Sequence, residues 1–248
     1  MYQDIQKHFI VIVMMSVNLD LFYRFIWAPK VVRDKRDFEA FTYSTLASAI
    51  VVGIATYGTH IYFEEGEYLS STIQTRAYGE SVRVNNLAAV MVAYQMWNTL
   101  CCLYLPQHRT IANMVHHLIT VGLGLCLFNP TYIPWYQVFY LGVAELSGIP
   151  LSVVDIQRTW PSVVPSKTFQ NLANISFALA FFWFRIVMWT YTSFFFWKDS
   201  LDMLSLNISH NPFMTKCFLA GSFPMTFLQY MWGYKILKFL LKSKKKKK

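Results

Sequence analysis

The sequence predicts an all-α fold, a polytopic bundle of about seven transmembrane helices. Hydrophobic residues make up 55% of the 248 residues and charged residues only 14%, whereas an ordinary soluble domain carries roughly a quarter charged residues. The apolar segments are continuous runs of about the 20 residues that a spanning helix needs. A membrane β-barrel would instead show strands of about ten residues with alternating polarity. The composition therefore excludes a soluble, disordered or disulfide-scaffold protein.

The apolar runs predict where each span lies. The predicted spans are 9–27, 40–63, 84–105, 111–128, 132–154, 169–197 and 213–241. The first run lacks a small-residue cleavage site and contains Asn18, Asp20 and Arg24, so we predict a retained span rather than a signal peptide. Short connections at 106–110 and 129–131 make the third, fourth and fifth spans antiparallel neighbours.

Basic residues predict the orientation of the chain. Fifteen of the 22 Lys and Arg residues fall on one predicted side and five on the other, while Arg24 and Arg185 lie within spans. Basic loops stay cytosolic, so the C-terminus is predicted to be cytosolic and the N-terminus lumenal. We divide the chain into a first span with its basic loop (1–39), a transmembrane domain (40–241) and a basic cytosolic tail (242–248).

The end of the chain concentrates positive charge. Eight basic residues lie between Lys235 and Lys248, and the formal net charge is +9. Beside a membrane helix, such a cluster favours anionic lipid headgroups or a targeting signal over nucleic acid. We therefore expect membrane lipids and no nucleic acid as partners, and the sequence leaves a homo-oligomer open.

The cysteines indicate neither a metal site nor a cofactor. The chain contains Cys101, Cys102, Cys126 and Cys217, all inside or at the edge of apolar runs. None shows the spacing of metal ligands. We predict that they act as small apolar packing residues.

Polar side chains within the spans are the candidate functional residues, because such groups are costly in a bilayer. With a rise of about 1.5 Å per residue, several of them fall in one layer about 8 to 14 Å from the predicted cytosolic ends. This layer contains Asp20, Asn98, His116, His117, Glu145, Asn174 and Gln229. We predict a polar cavity that opens toward the cytosolic leaflet. Arg185 lies nearer the lumenal half and is predicted to line the cavity and stack on aromatic rings rather than act in catalysis.

The pair His116-His117 is the sharpest candidate for chemistry. Adjacent helix positions point about 100° apart, so the two rings cannot face one partner equally well. An imidazole can move a proton near neutral pH or attack an activated carbonyl, if a carboxylate such as Glu145 orients it. The alternative is a histidine pair that joins helices through hydrogen bonds. We expect Glu145 to pair with the histidines and Pro150 to disturb the helix beside it.

Four segments occur in the order typical of one membrane family. They are MVHHLIT, AELSGIPLSVVD, NLANISFALAFFWFRI and QYMWGYKILK. From about residue 40 onward the chain resembles the TLC domain of ceramide synthases and of TRAM- and Lag-type proteins, and it is most similar to the smaller TLC-domain-containing proteins. The resemblance implies a helical bundle in the endoplasmic reticulum or a related membrane that handles long-chain lipids.

The resemblance also implies roles for individual residues. In ceramide synthases a histidine pair, followed by two aspartates three residues apart, transfers acyl groups from acyl-CoA to a sphingoid amine. Here His116 and His117 match the pair, and Glu145 falls at the second aspartate. Gly142 stands at the first aspartate, and Asn98 replaces an aspartate often found in the third span. These changes count against acyl transfer.

The sequence favours a protein that binds, senses or helps remodel membrane lipids. One alternative is an N-acyltransferase that uses acyl-CoA as co-substrate and acts on a lipid amine. Another is a seven-span receptor or transporter, although no lysine lies mid-span for a Schiff base and no matched broken helices suggest inverted repeats. Lys245 and Lys246 resemble a dilysine retrieval signal read by coat proteins, and a membrane-flanking basic cluster explains them equally well.

Overall fold

The computed structural model describes residues 2–23, 35–126, 132–159 and 166–245, and within these ranges the fold is helical without a strand. The α-helices are α1 (Tyr2–Phe22), α2 (Lys35–Ser70), α3 (Ile73–Tyr78), α4 (Val82–Tyr104), α5 (Ile111–Cys126), α6 (Pro134–Gln137), α7 (Gly148–Thr159), α8 (Lys167–Ala180), α9 (Trp189–Ser205) and α10 (Pro212–Lys245). Predictions about Arg24, Lys30, Arg33, the 129–131 turn and Lys246–Lys248 lie outside the described residues.

Two long rods contain irregular helix. A π segment, Val138–Gly142, and a 3₁₀ segment, Val143–Ser147, join α6 to α7, and we call residues 134–159 the fifth rod. Another π segment, Phe181–Met188, joins α8 to α9, and we call residues 167–205 the sixth rod. A short 3₁₀ turn, Pro106–His108, connects α4 to α5.

The all-α polytopic fold is confirmed. Helices lie at all seven predicted spans. In the described ranges, five helical stretches are long and apolar enough to cross a membrane: Tyr2–Phe22, Thr42–Ser70, Val82–Tyr104, Pro134–Arg158 and Lys167–Ser205. The helix Ile111–Cys126 is apolar but shorter, and α10 is not among the five.

Helices α2 and α4 run in opposite directions. Near the end of α2 and the start of α4, Arg83 Nε lies 3.5 Å from Glu65 Oε1. Toward the opposite ends, the Tyr43 hydroxyl donates to Asn98 Oδ1. We call the end of the bundle that holds α3 the α3 end, and the opposite end, which holds His108, the His108 end.

The core lies between α2, α4 and the fifth rod. Ile54, Ile61, Leu87, Met91 and Val138 are among its buried side chains. Helix α1 packs against α2 and α4 from one side. The start of α4 is fixed by Ser81, whose hydroxyl accepts a hydrogen bond from the backbone N–H of Val84.

Asp199 joins three elements at the α3 end. Its Oδ2 accepts from Arg76 Nε at 2.5 Å and its Oδ1 from Arg76 Nη2 at 3.0 Å. The Tyr136 hydroxyl donates to the same carboxylate at 2.5 Å. We call this cluster the Asp199 clasp. It ties α3 and α6 to α9 through a carboxylate whose side chain is only 4% exposed.

Two glycines allow α2 to cross the fifth rod at very short range. A Cβ added to Gly58 would lie 2.3 Å from Gly142 Cα, and a Cβ added to Gly142 would lie 2.6 Å from Gly58 Cα. The neighbouring atoms belong to the backbone and cannot rotate away. Small residues at such crossings let two helices pack in a membrane. The contact fixes the fifth rod one turn from Glu145.

Replacing Gly58 by alanine is expected to destabilise the bundle by about 1 to 3 kcal/mol, because the new methyl group must displace the fifth rod. Thermal unfolding of the purified protein in mild detergent measures the effect. Gly53→Ala is the matched control, since no atom lies within 4 Å of its added Cβ. The control should be neutral or stabilising by up to about 1 kcal/mol. Equal effects at both glycines would contradict the crossing.

Candidate functional site

A cavity of about 890 Å³ lies between α2, α4, α5, the fifth and sixth rods, and α10. It reaches the His108 end, where Asp155, Arg158 and Lys235 line it. Arg158 Nη1 lies 3.7 Å from Asp155 Oδ1. Burial lowers the pKa of His108, so this imidazole adds no charge to the mouth at neutral pH. We call this space the larger cavity.

A second space of about 100 Å³ lies on the α3 side of the first and is mostly apolar. We call it the smaller cavity. Its walls include Val92, Leu123, Ile133, Phe196 and Phe218. Carbon-lined cavities of this kind exclude water and accept hydrocarbon. The larger cavity therefore has a mixed polar and apolar lining, whereas the lining of the smaller cavity is mostly apolar.

Four side chains line both cavities. They are Gln95, His116, Glu145 and Arg185, which come from α4, α5 and the two rods. We call these four residues the waist. A molecule that occupied both cavities would pass directly beside them. The waist is therefore the place where polar side chains would contact such a molecule.

An ion pair joins the two rods at the waist. Arg185 Nη2 lies 2.7 Å from Glu145 Oε1, and the two side chains are 11% and 12% exposed. Arg185 Nε also donates to Ser147 Oγ at 3.0 Å. Mutual neutralisation explains how both charges are accommodated in a low-dielectric bundle. The guanidinium also lies 6.0 Å from the Trp189 ring, which fits the predicted aromatic contact.

Both members of the ion pair lie on irregular helix. Glu145 belongs to the 3₁₀ segment of the fifth rod and Arg185 to the π segment of the sixth, and these two segments pack together. Departures from α-helical hydrogen bonding redirect side chains and are frequent at functional sites. Pro150 follows one turn later and has no N–H to donate to the carbonyl of Leu146. Irregular backbone therefore brings the two charges face to face.

His117 belongs to a hydrogen-bonded network in the wall of the larger cavity. Its Nδ1 lies 2.5 Å from Gln95 Oε1, and its Nε2 lies 3.6 Å from Cys102 Sγ. Cys102 Sγ also lies 3.7 Å from Asn98 Oδ1, which accepts from the Tyr43 hydroxyl. The network connects α2, α4 and α5 at one level.

Two side chains that line the larger cavity, His116 and Gln229, contain buried polar atoms without a protein partner. His116 Nδ1 makes no hydrogen bond, and its ring packs edge-on against Trp232 at 5.5 Å. Both side-chain polar atoms of Gln229 also lack a partner, although the residue is only 1% exposed. An unsatisfied buried polar group costs about 1 to 3 kcal/mol, so a bound polar group would be favoured here.

The structure places most of the predicted site residues on the cavity walls. Those that line one or both cavities are Asn98, His116, His117, Glu145, Arg185 and Gln229. Asp20 and Asn174 are not among the lining residues. Asp20 lies on α1, and the Asn174 amide donates to the Gln170 carbonyl oxygen of its own helix at 2.8 Å. Depth along a span placed these two residues in the layer but did not fix the direction of their side chains.

The structure corrects the expected pairing of Glu145 with the histidines. In the described part of the chain, the ion-pair partner of Glu145 is Arg185, and the contact of His117 Nδ1 is with Gln95. Both rods carry irregular segments at this level, and sequence periodicity assumes regular helices. The signal for Arg185 was present, since a cation inside a span needs a partner.

Sequence reasoning missed several residues that build the site. Gln95, Tyr43 and Ser147 were not among the predicted site residues, and Cys102 was interpreted as packing only. The signal for Gln95 was detectable, because it is an amide within a span and the next helix carries a histidine. In the described ranges, no group of three or more His, Cys, Asp or Glu side chains is arranged to hold a metal ion.

A family model described as the TLC domain matches residues 40–238. The chain belongs to the TLC-domain family. This match confirms the resemblance predicted from the four segments. Searches of curated proteins and of solved structures found no match. The TLC domain and the apolar helices identify an integral membrane protein and suggest a lipid-related function.

The position of Gly142 explains one departure from the ceramide-synthase pattern. The first aspartate of that pattern would fall at Gly142, where even a Cβ would lie 2.6 Å from Gly58 Cα. The helix crossing in this TLC-domain protein therefore leaves no space for an acid at that position. Glu145 supplies the carboxylate at the waist, and Arg185 neutralises it.

Proposed function

We propose that this TLC-domain protein binds one amphipathic membrane lipid inside the bundle and thereby senses or helps remodel membrane lipid composition. The observation that carries the proposal is a pair of cavities that share the waist, one with a mixed polar and apolar lining and the other mostly apolar. A lipid has the same division, with a polar head and an apolar chain. The head and most of the chain would occupy the larger cavity, and only the end of the chain would extend past the waist into the smaller one.

The chemistry of the walls supports this placement. The larger cavity lies within the size range of about 300 to 1,000 Å³ that is typical of ligand sites. Gln229 and His116 present buried polar atoms without a protein partner, which a headgroup could satisfy. Because Glu145 neutralises Arg185, the waist carries no net charge and does not repel a passing hydrocarbon chain.

The proposal includes the orientation of the protein in the bilayer and its location in the endoplasmic reticulum. With the N-terminus lumenal and the C-terminus cytosolic, the His108 end faces the cytosol and the larger cavity opens toward the cytosolic leaflet. The excess of basic residues at this end supports that orientation. The resemblance to lipid-handling proteins and the C-terminal lysines support the endoplasmic reticulum. Coat-protein recognition of those lysines and a homo-oligomer remain part of the proposal.

Replacing Thr120 by phenylalanine tests the smaller cavity. Thr120 lines this cavity, so the larger side chain is expected to fill it and to abolish co-purification of lipid. Mass spectrometry of the protein purified in mild detergent measures the bound lipid. Leu118→Phe is the matched control on the same helix, because Leu118 is 58% exposed. Lipid retained in a folded Thr120→Phe variant would contradict the proposal.

The second candidate function is a lipid N-acyltransferase that uses acyl-CoA. The position of His116 favours it, because the ring lies at the waist, where the carbonyl of a bound acyl chain would pass, and its Nδ1 has no partner. Glu145 is paired with Arg185, however, and Gly142 stands in place of an acid. Incubation of the purified protein with a long-chain acyl-CoA and a lipid amine tests this function. Absence of any acylated amine would exclude those substrates.

A further inference from the structure

Cys102, His117 and Gln95 form a line of polar contacts in the wall of the larger cavity. Cys102 Sγ lies 3.6 Å from His117 Nε2, and His117 Nδ1 lies 2.5 Å from Gln95 Oε1. Gln95 and Cys102 belong to α4 and His117 to α5, so the packing of neighbouring helices builds the arrangement. A thiol, a base that faces it and a third group that orients the base are the parts of an activated nucleophile.

The contact with Gln95 determines which nitrogen of His117 can accept a proton. A carboxamide oxygen only accepts hydrogen bonds, so Nδ1 carries the hydrogen and Nε2 presents its lone pair to Cys102. The orientation of the carboxamide is supported by Gln95 Nε2, which lies 3.6 Å from Met91 Sδ. The thiol proton therefore has two acceptors within reach, His117 Nε2 at 3.6 Å and Asn98 Oδ1 at 3.7 Å, and of these only the imidazole is a base.

We propose that Cys102 is a nucleophile that accepts the acyl group of a long-chain acyl thioester, with His117 as its base and Gln95 as a positioning residue. This proposal rests on the proposed function, because the acyl chain must occupy the cavities. A thioester fits the site chemically, since exchange between a thiol and a thioester conserves the bond type and needs no further reactant.

The step balances as a thiol exchange. The Cys102 sulfur attacks the acyl carbonyl carbon, while the thiol proton moves to His117 Nε2. A new carbon–sulfur bond forms at Cys102, and the carbon–sulfur bond to the original thiol breaks. The proton on His117 then passes to the departing thiolate. The products are acylated Cys102 and a free thiol, and no electrons are gained or lost.

A second observation indicates that a polar ligand group belongs in this cavity. Gln229 lines the same cavity and is 1% exposed, yet neither its Nε2 nor its Oε1 has a partner. His116 Nδ1, also on the wall, is equally without one. The Gln229 amide, on α10, is a buried donor among the residues that line this cavity, and an acyl carbonyl oxygen requires such a donor.

The neighbouring cysteine shows what distinguishes Cys102. Cys101 packs against the hydrophobic core and is not among the residues that line either cavity. It has the same residue type and nearly the same depth on α4. The chain therefore contains its own control for thiol chemistry in the membrane.

The experiment compares two single-cysteine proteins. One keeps Cys102 and carries serine at Cys101, Cys126 and Cys217, and the other keeps Cys101 and carries serine at the other three positions. Each full-length protein, checked by size-exclusion chromatography, is incubated in mild detergent with the palmitoyl thioester of N-acetylcysteamine. Mass spectrometry then locates the acyl group, and hydroxylamine distinguishes a labile thioester from a stable amide. Co-purified lipid is measured on the same samples.

We expect the acyl group on Cys102 in the first protein and no adduct in the second. In the Cys102-only protein, His117→Phe should slow acylation by about a hundredfold or more, because the base is lost. Gln95→Leu should also slow it, and Gln95→Asn should restore part of the rate, which a merely structural role would not produce. An acyl group on His116, or no acyl group on a protein that retains its lipid, would overturn the assignment of Cys102 as the nucleophile. Either result would leave the proposed lipid-binding function standing. Loss of both the adduct and the lipid in a folded protein would overturn the proposed function as well.

Discussion

Replacing Glu145 by glutamine is expected to lower the free energy of unfolding by about 3 to 5 kcal/mol, because the change leaves Arg185 as an unpaired charge within the bundle. Arg185 Nη2 lies 2.7 Å from Glu145 Oε1, and the two side chains are only 11% and 12% exposed. The pair also joins the fifth rod to the sixth at the waist. Thermal unfolding in mild detergent measures the loss of stability.

The double variant Glu145→Gln/Arg185→Met identifies the cause of that loss. It removes both charges, so it should recover much of the stability, because replacing a buried ion pair by uncharged groups is often nearly neutral. Glu65→Gln is the matched control. Its partner Arg83 lies 3.5 Å away and is 47% exposed, so less than about 1 kcal/mol should be lost. A double variant that is less stable than Glu145→Gln would contradict an ion-pair origin.

The same variants separate stability from ligand binding. The proposed function requires a waist without net charge. Glu145→Gln should therefore also weaken lipid co-purification, because it leaves Arg185 as an unpaired cation beside the hydrocarbon chain of the lipid. The double variant restores neutrality and should regain lipid. A folded double variant without lipid would show that the two side chains contact the ligand directly.

The layer of polar residues was predictable from the sequence because depth in a membrane follows from residue count. The rise per residue of a helix is nearly constant, and the bilayer excludes unpaired polar groups, so His116, Glu145 and Gln229 could be assigned to one level. The direction in which each side chain points depends on helix rotation. The residue count assigned Asp20 and Asn174 to the layer, but the structure does not place them on the cavity walls.

The pairing of charges was not predictable because the rods are not regular helices. A π segment and a 3₁₀ segment change the rotation per residue beside Arg185 and Glu145, so α-helical periodicity fails where the site is built. The crossing at Gly58 and Gly142 could not be predicted from the sequence for a related reason. The role of a glycine in helix packing becomes clear only when the atoms packed against it are known.

Replacing Asp199 by asparagine is expected to destabilise the α3 end by about 3 to 5 kcal/mol, because Arg76 loses its buried partner. The Asp199 clasp receives two hydrogen bonds from Arg76 and one from Tyr136. The Arg76 guanidinium stays protonated with or without Asp199, so in the variant this cation cannot escape the cost by losing its proton. Tyr136→Phe removes one hydrogen bond and should cost about 1 kcal/mol.

Hydrogen exchange locates the damage that Asp199→Asn causes. Helix α3 has only six residues and cannot be stable alone, so its amides should exchange much faster once the clasp is broken. Asp202→Asn is the matched control, because Asp202 lies on α9 like Asp199, and it should leave the exchange of the α3 amides unchanged. The waist lies toward the middle of the bundle, so lipid should remain bound in both variants. Lipid lost from Asp199→Asn, with α3 still protected, would mean that the clasp acts on the cavity and not on the fold of its own end.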